Sequence, residues 1–264
     1  MKDIGGGGTP GTLQTPRGQF LDHPDCHAKL QQLLKGGLAG TGQKYDSKEV
    51  AGKIIELVYG ETTDTRGVHI ETVLTILGAL AGFAVQMGIR EEFVKSGKIS
   101  KEKAFLRIGT KDGSTYYAGK LIIEGLVSPR QGQFSVWTLV GGAAEHLGAK
   151  TLPDLRDLFD HVSRTVGGND FGVPRLPPQN MPSRLPFELL DKFWNPVRNY
   201  LAASTSSPSQ WPFVLAFAAQ LVMLNTKGII EPGIAAQIVM EAAVPMSKVD
   251  PRRVRGAYFW PTDA

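Results

Sequence analysis

Residues 73–89, VLTILGALAGFAVQMGI, run for 17 positions without a charged side chain, with Gly78 and Gly82 four positions apart inside the run. A transmembrane helix needs about 20 consecutive apolar residues. This run is shorter, includes Thr75, Gln86 and three glycines, and has no basic flank to mark an inside face. A buried helix accounts for it better. Each interior glycine costs about 1 kcal/mol relative to alanine, so close packing should offset that cost. Gly78 and Gly82, with Ala81 and Val85 beside them, form a smooth groove against which another helix can lie. Leu74, Leu77, Leu80 and Phe83 fill the other directions. A helix apolar almost all round belongs at the centre of a multi-helix domain. Trp211–Leu224, with Ala216 and Ala219 as its small residues, is the expected second central helix.

Helical patterning dominates the remainder. HPDCHAKLQQLLKGG sets Leu30, Leu33 and Leu34 on one face and ends at Gly36-Gly37. DSKEVAGKIIELVYG opens with Asp46 and Glu49 at capping-box spacing, carries the stripe Val50, Ile54, Leu57 and Val58, and is expected to close at Gly60. KLIIEGLV predicts a short helix, and FSVWTLVGGAAEHLG a longer one weakened by Gly141-Gly142. Thr151 is the expected cap of LPDLRDLFDHVSRTV, with Leu152, Leu155, Leu158, Phe159 and Val162 on its buried face. Three more helices follow, PFELLDKFWNPVRNYLAA, PSQWPFVLAFAAQLVMLN and PGIAAQIVMEAA, the first expected to kink or divide at Pro196. Between the helices, AFLRIGTKDGSTYYAG reads as two strands joined through Lys111-Asp112-Gly113.

The expected fold is therefore mainly α, a multi-helix globular domain of about eight helices with one short β-hairpin near 105–118. Its expected organisation is a flexible tail over 1–19, a helical core with the hairpin over 20–166, a loop or linker over 167–186, and a C-terminal helical part over 187–264 packed on the core. The 167–186 segment holds five prolines and three glycines in 20 residues, which no helix accommodates. A segment of that kind is commonly a lid, a binding loop or a linker.

Composition narrows the partners. The net charge is +4, from 29 basic and 25 acidic side chains spread evenly along the chain. The one small basic cluster is Arg252, Arg253 and Arg255. Nucleic-acid binding needs clustered Lys and Arg, so no strong nucleic-acid signal is present. The chain of 264 residues has a single cysteine, Cys26, which excludes an intrachain disulfide. The first 20 residues lack the apolar core of a signal peptide. A cytoplasmic protein without a transmembrane segment is expected.

No catalytic set emerges. His23, Cys26 and His27, with Asp22 and Asp25, crowd metal-binding side chains into six residues, but no second cluster completes a shell. These side chains read more simply as the lead-in to a helix, and no metal or other cofactor is named. His69-Ile70-Glu71 has the H-x-E spacing of zinc deaminases without their P-C-x-x-C ligands. On a helix the two side chains diverge, so they mark a pocket rim or a helix start. His146 follows Gly141-Gly142, where a ligand can approach the backbone. Asn169 and Asp170 sit in a Gly-rich loop that lacks the Gly-Lys-Ser/Thr of a phosphate-binding loop. His69, Glu71, His146, Asn169 and Asp170 are thus the ligand-binding candidates, and Gly78 and Gly82 the close-packing candidates. The function expected is a non-catalytic binding or oligomeric assembly protein, with a homo-oligomer as the partner. The alternatives are an enzyme or small-ligand binder with a pocket between the 67–93 helix and the 167–186 loop, and a peripheral membrane protein.

Overall fold

The computed structural model describes residues 12–13, 46–65, 67–127 and 134–257. Within these residues the chain forms nine α-helices and five short strands. The protein is mainly α, with a small antiparallel hairpin. The stretch 23–37, including His23, Cys26 and His27, lies outside the described residues.

Helix α1 spans Ser47–Thr62, and its cap is Asp46, whose carboxylate accepts the Lys48 N–H at 2.8 Å. It continues past Gly60. The Thr62 and Thr63 hydroxyls donate to the carbonyls of Val58 and Tyr59, at 2.8 and 2.6 Å, so threonines cover the terminal acceptors instead of a glycine turn. Strands β2 (Thr63–Asp64) and β3 (Gly67–His69) then pair antiparallel. Strand β1 (Thr12–Leu13) pairs with the other edge of β3, Thr12 opposite His69.

Helix α2, Ile70–Ile89, is the centre of the molecule, and all 20 of its residues are buried. It passes into one π-helical turn, Arg90–Val94. Together they are the one helix among the described residues long and apolar enough to cross a membrane, and its most apolar span is wholly buried inside the protein. Its neighbours are α7 (Pro186–Ser204), α8 (Trp211–Asn225) and α9 (Pro232–Met246). Gly78 and Gly82 lie against α9. A Cβ on Gly78 would stand 2.3 Å from the Val239 carbonyl oxygen, and one on Gly82 would stand 2.0 Å from that of Ala243. No side chain fits there, so the two backbones touch directly. Gln86, the polar residue deepest in the run, donates to the carbonyls of Ser247 and Val249 at 2.8 and 3.1 Å and accepts from Arg90 Nε at 3.0 Å. A buried amide with its partners in place is tolerated in an apolar helix.

After the short α3 (Lys101–Ala104), strands β4 (Leu106–Gly109) and β5 (Thr115–Ala118) form the hairpin, from Leu106 opposite Ala118 to Gly109 opposite Thr115. Gly113 takes φ +82° in its loop, which a glycine adopts without strain. The guanidinium of Arg90 lies 4.6 and 4.4 Å from the ring centroids of Phe105 and Tyr117, which themselves meet edge to face. The Tyr117 N–H donates to the Lys248 carbonyl at 2.8 Å, tying the hairpin to the end of α9.

Helices α4 (Lys120–Leu126), α5 (Val136–His146) and α6 (Leu155–Thr165) complete the set. Three local expectations change. Gly141-Gly142 does not break α5, which starts from a capping box between Ser135 and Thr138. Helix α6 is capped by Asp154, which accepts the Asp157 N–H at 3.1 Å, and not by Thr151; Leu152 stays exposed ahead of it. Pro196 does not divide α7. Leu189, Leu190, Phe193, Trp194, Val197 and Leu201 are buried along one continuous face, and that packing outweighs the hydrogen bond a proline forfeits.

Candidate functional site

Two places bring chemically distinct side chains together. The first is the junction of β3 with α2. His69 ends the strand and caps the helix, its Nδ1 accepting the Thr72 N–H at 3.3 Å and lying 2.8 Å from Thr72 Oγ1. Thr72 Oγ1 donates to Ser183 Oγ at 3.0 Å and accepts the Ser183 N–H at 2.9 Å. Glu71 is 1% exposed; its Oε1 accepts from Asn180 Nδ2 at 3.5 Å, and its Oε2 stands 3.7 Å from His69 Nδ1. A carboxylate in the first turn suits the positive end of the helix dipole. His69 and Glu71 thus meet at the start of α2, and both reach the 167–186 segment through Thr72, Ser183 and Asn180.

The same segment is held further along by Arg175, which pairs with Asp157 of α6 at 2.6 Å and with Glu241 of α9 at 3.2 Å. The Gln237 side chain donates to the Arg175 carbonyl at 2.8 Å. Burial pushes the Glu241 carboxyl above its ordinary pKa, opposed by Arg175, whereas the exposed Asp157 is held below its own by the Arg175 hydrogen bond. Both contacts fasten irregular backbone onto helices. His146 lies at the exposed end of α5, and Asn169 and Asp170 lie in exposed turns after α6.

The second place is a cleft of about 500 Å³ at the C-terminal end of α2. Val85 and Ile89 of α2, Phe93 of the π turn, Leu121 of α4, Phe134 and Phe213 form most of its wall. Glu124 and Ser209 are the polar side chains among the described lining residues. Ser209 is fixed by Glu92, whose Oε2 accepts the Ser209 N–H at 3.2 Å and also the Ser207 hydroxyl. Burial works against the Glu92 carboxylate, but these hydrogen bonds outweigh it and hold the pKa below the ordinary value. Glu124 meets the ammonium of Lys120 only at 3.9 Å, and the Lys120 side chain is 83% exposed.

No group of three or more His, Cys, Asp or Glu side chains able to hold a metal occurs among the described residues. The sequence candidates did not include Thr72, Asn180 and Ser183, which only tertiary folding brings to His69. They also omitted the cleft, whose lining comes from α2, the π turn, α4, the start of α5 and α8, with no shared local pattern. Comparison with protein-family models, with curated proteins and with solved structures finds no match for this chain.

Proposed function

We propose that this chain is a non-catalytic binding protein whose ligand is a small, largely apolar organic molecule held in the cleft at the end of α2. The observation that carries this reading is the cleft itself. Its volume of about 500 Å³ falls within the roughly 300–1,000 Å³ typical of small-molecule sites, and its wall of aliphatic and phenyl side chains suits an apolar body. The polar junction at His69 reads as a fastening for the 167–186 segment, because Thr72 bonds the Ser183 amide and hydroxyl and Glu71 Oε1 accepts from Asn180, although the buried Glu71 Oε2 has no hydrogen-bond partner among the described residues. A cytoplasmic location fits this reading. The test is fluorescence of the neutral apolar probe N-phenyl-1-naphthylamine added to the full chain. Saturable enhancement that disappears in Leu121→Trp, where an indole fills the cleft, supports the reading. Absence of enhancement, or enhancement unchanged in that variant, refutes it.

Assembly with a second copy is a further reading, favoured by the outer edge of β4. Among the described residues, β4 pairs only with β5, and Leu106 is 64% exposed on it. An open edge carrying an exposed leucine is a surface onto which another strand can add. Light scattering should show a dimer or larger species that Leu106→Lys dissociates; a monomer at high concentration would remove this reading.

A further inference from the structure

We infer that the ligand of the cleft carries a protonated amine, seated against Glu124 with its apolar body among Phe93, Phe134 and Phe213. The inference rests on the cleft being a binding site and adds the chemistry of the head group. Among the described lining residues, Glu124 is the only charged one. Among the described residues its carboxylate is incompletely satisfied: Lys120 stands 3.9 Å away on a solvent-exposed side chain, an i,i+4 pair of small worth. A ligand ammonium held in the cleft would meet this carboxylate, 28% exposed, through a charge-assisted hydrogen bond, stronger than one between neutral groups. Three phenyl rings line the same space, and aromatic faces attract cations. Phe93 already does this within the chain, with Lys98 Nζ 5.6 Å from its ring centroid. An alkyl or cycloalkyl amine therefore matches both parts of the wall. A neutral alcohol matches only the apolar part. A carboxylic acid would set its charge against Glu124.

The experiment is calorimetric titration of the full chain with three ligands that share one cage, adamantan-1-amine, adamantan-1-ol and adamantane-1-carboxylate. The amine should bind about tenfold more tightly than the alcohol, the gain expected for one hydrogen bond to a charged group. The carboxylate should bind most weakly. In Glu124→Gln the amine should fall to the level of the alcohol while alcohol binding is unchanged. In Lys120→Ala, which removes the competing ammonium, amine binding should be equal or tighter. Equal binding of amine and alcohol, an unchanged ratio in Glu124→Gln, or a preference for the carboxylate overturns the head-group assignment and leaves the cleft as an apolar site. If none of the three binds and the apolar probe is also indifferent to Leu121→Trp, the cleft itself is not a site.

Discussion

Helix α2 presents two regions built for opposite purposes. Along its middle, Gly78 and Gly82 remove side chains so that the backbone of α9 can close on it, with the Val239 and Ala243 carbonyls where a Cβ would be. At its C-terminal end, Val85 packs closely on Gly125 of α4 and Gly88 on the Pro208 backbone, yet beside them Ile89, Phe93, Leu121, Phe134 and Phe213 bound about 500 Å³ of open space. The closed seam is apolar and has no slack. The open end is bounded by elements only 5–7 residues long, the π turn and α4, and is held by polar clamps such as Glu92 with Ser209. Slack beside a rigid centre is where a ligand can be accommodated without disturbing the fold.

The largest effects should fall on the seam. Gly82→Leu forces a branched side chain into the Ala243 backbone, and overpacking of this kind typically costs about 1–3 kcal/mol, occasionally more. With an α9 carbonyl at the Cβ position the upper part of that range is expected, read as a lowered midpoint in urea unfolding. Gly142→Ala on α5 is the matched control, because nothing lies within 4 Å of the added methyl. It should stabilise by about 1 kcal/mol. If the two glycines respond alike, the seam is not closely packed.

Arg175→Ala should follow. It leaves Glu241, 3% exposed, without its cation. Losing one partner of a fully buried pair costs about 3–5 kcal/mol. The Arg175 side chain is itself 35% exposed, so solvent screening brings the expected loss nearer 1–2 kcal/mol. Thermal melting against Gln237→Ala, which removes only the contact to the Arg175 carbonyl, separates charge from backbone anchoring.

Changes at the open end should move binding more than stability. Leu121→Trp should abolish probe fluorescence with a change in stability of less than about 1.5 kcal/mol, since a half-buried wall residue is enlarging into empty space. A large loss of stability in this variant would mean the cleft is not open. The smallest effect concerns pH. The Glu92 pKa is depressed in the folded chain, so the clamp on Ser209 is intact above the ordinary carboxylate pKa and is lost as pH falls through the lower, folded value. Probe binding should weaken over that acid range in the native chain and not in Glu92→Gln. Identical acid profiles would show that the clamp does not shape the cleft.

Much of the architecture was legible in the sequence because the helices carry it locally. The uncharged run ending at Ile89, the Asp46 cap and the Asp112-Gly113 turn each encode their element within a few residues. Where the reading shifted, tertiary packing or an unnoticed cap had won, as at Pro196 and Asp154. The site was less legible. His69 and Glu71 stand beside each other in sequence, but Asn180 and Ser183 reach them across more than 100 residues. Phe93, Leu121, Phe134 and Phe213 look like ordinary core residues, and only the way their elements stand apart turns them into a wall. The partner of Gly78 and Gly82 was likewise invisible: it is α9, whose small residues Ala235, Ala236, Ala242 and Ala243 carry no stronger sequence signal than those of α8.

The most direct measurement is a heteronuclear NMR titration of the full chain with adamantan-1-ol, a neutral ligand that tests the cleft without regard to its head group. Saturable shifts should appear at Val85, Ile89, Leu121, Phe134 and Phe213, with none at Gly78, Gly82 or Ala243 on the seam. Shifts scattered over the surface, or the absence of saturable shifts at the cleft, would contradict the assignment of the open end of α2 as the binding site.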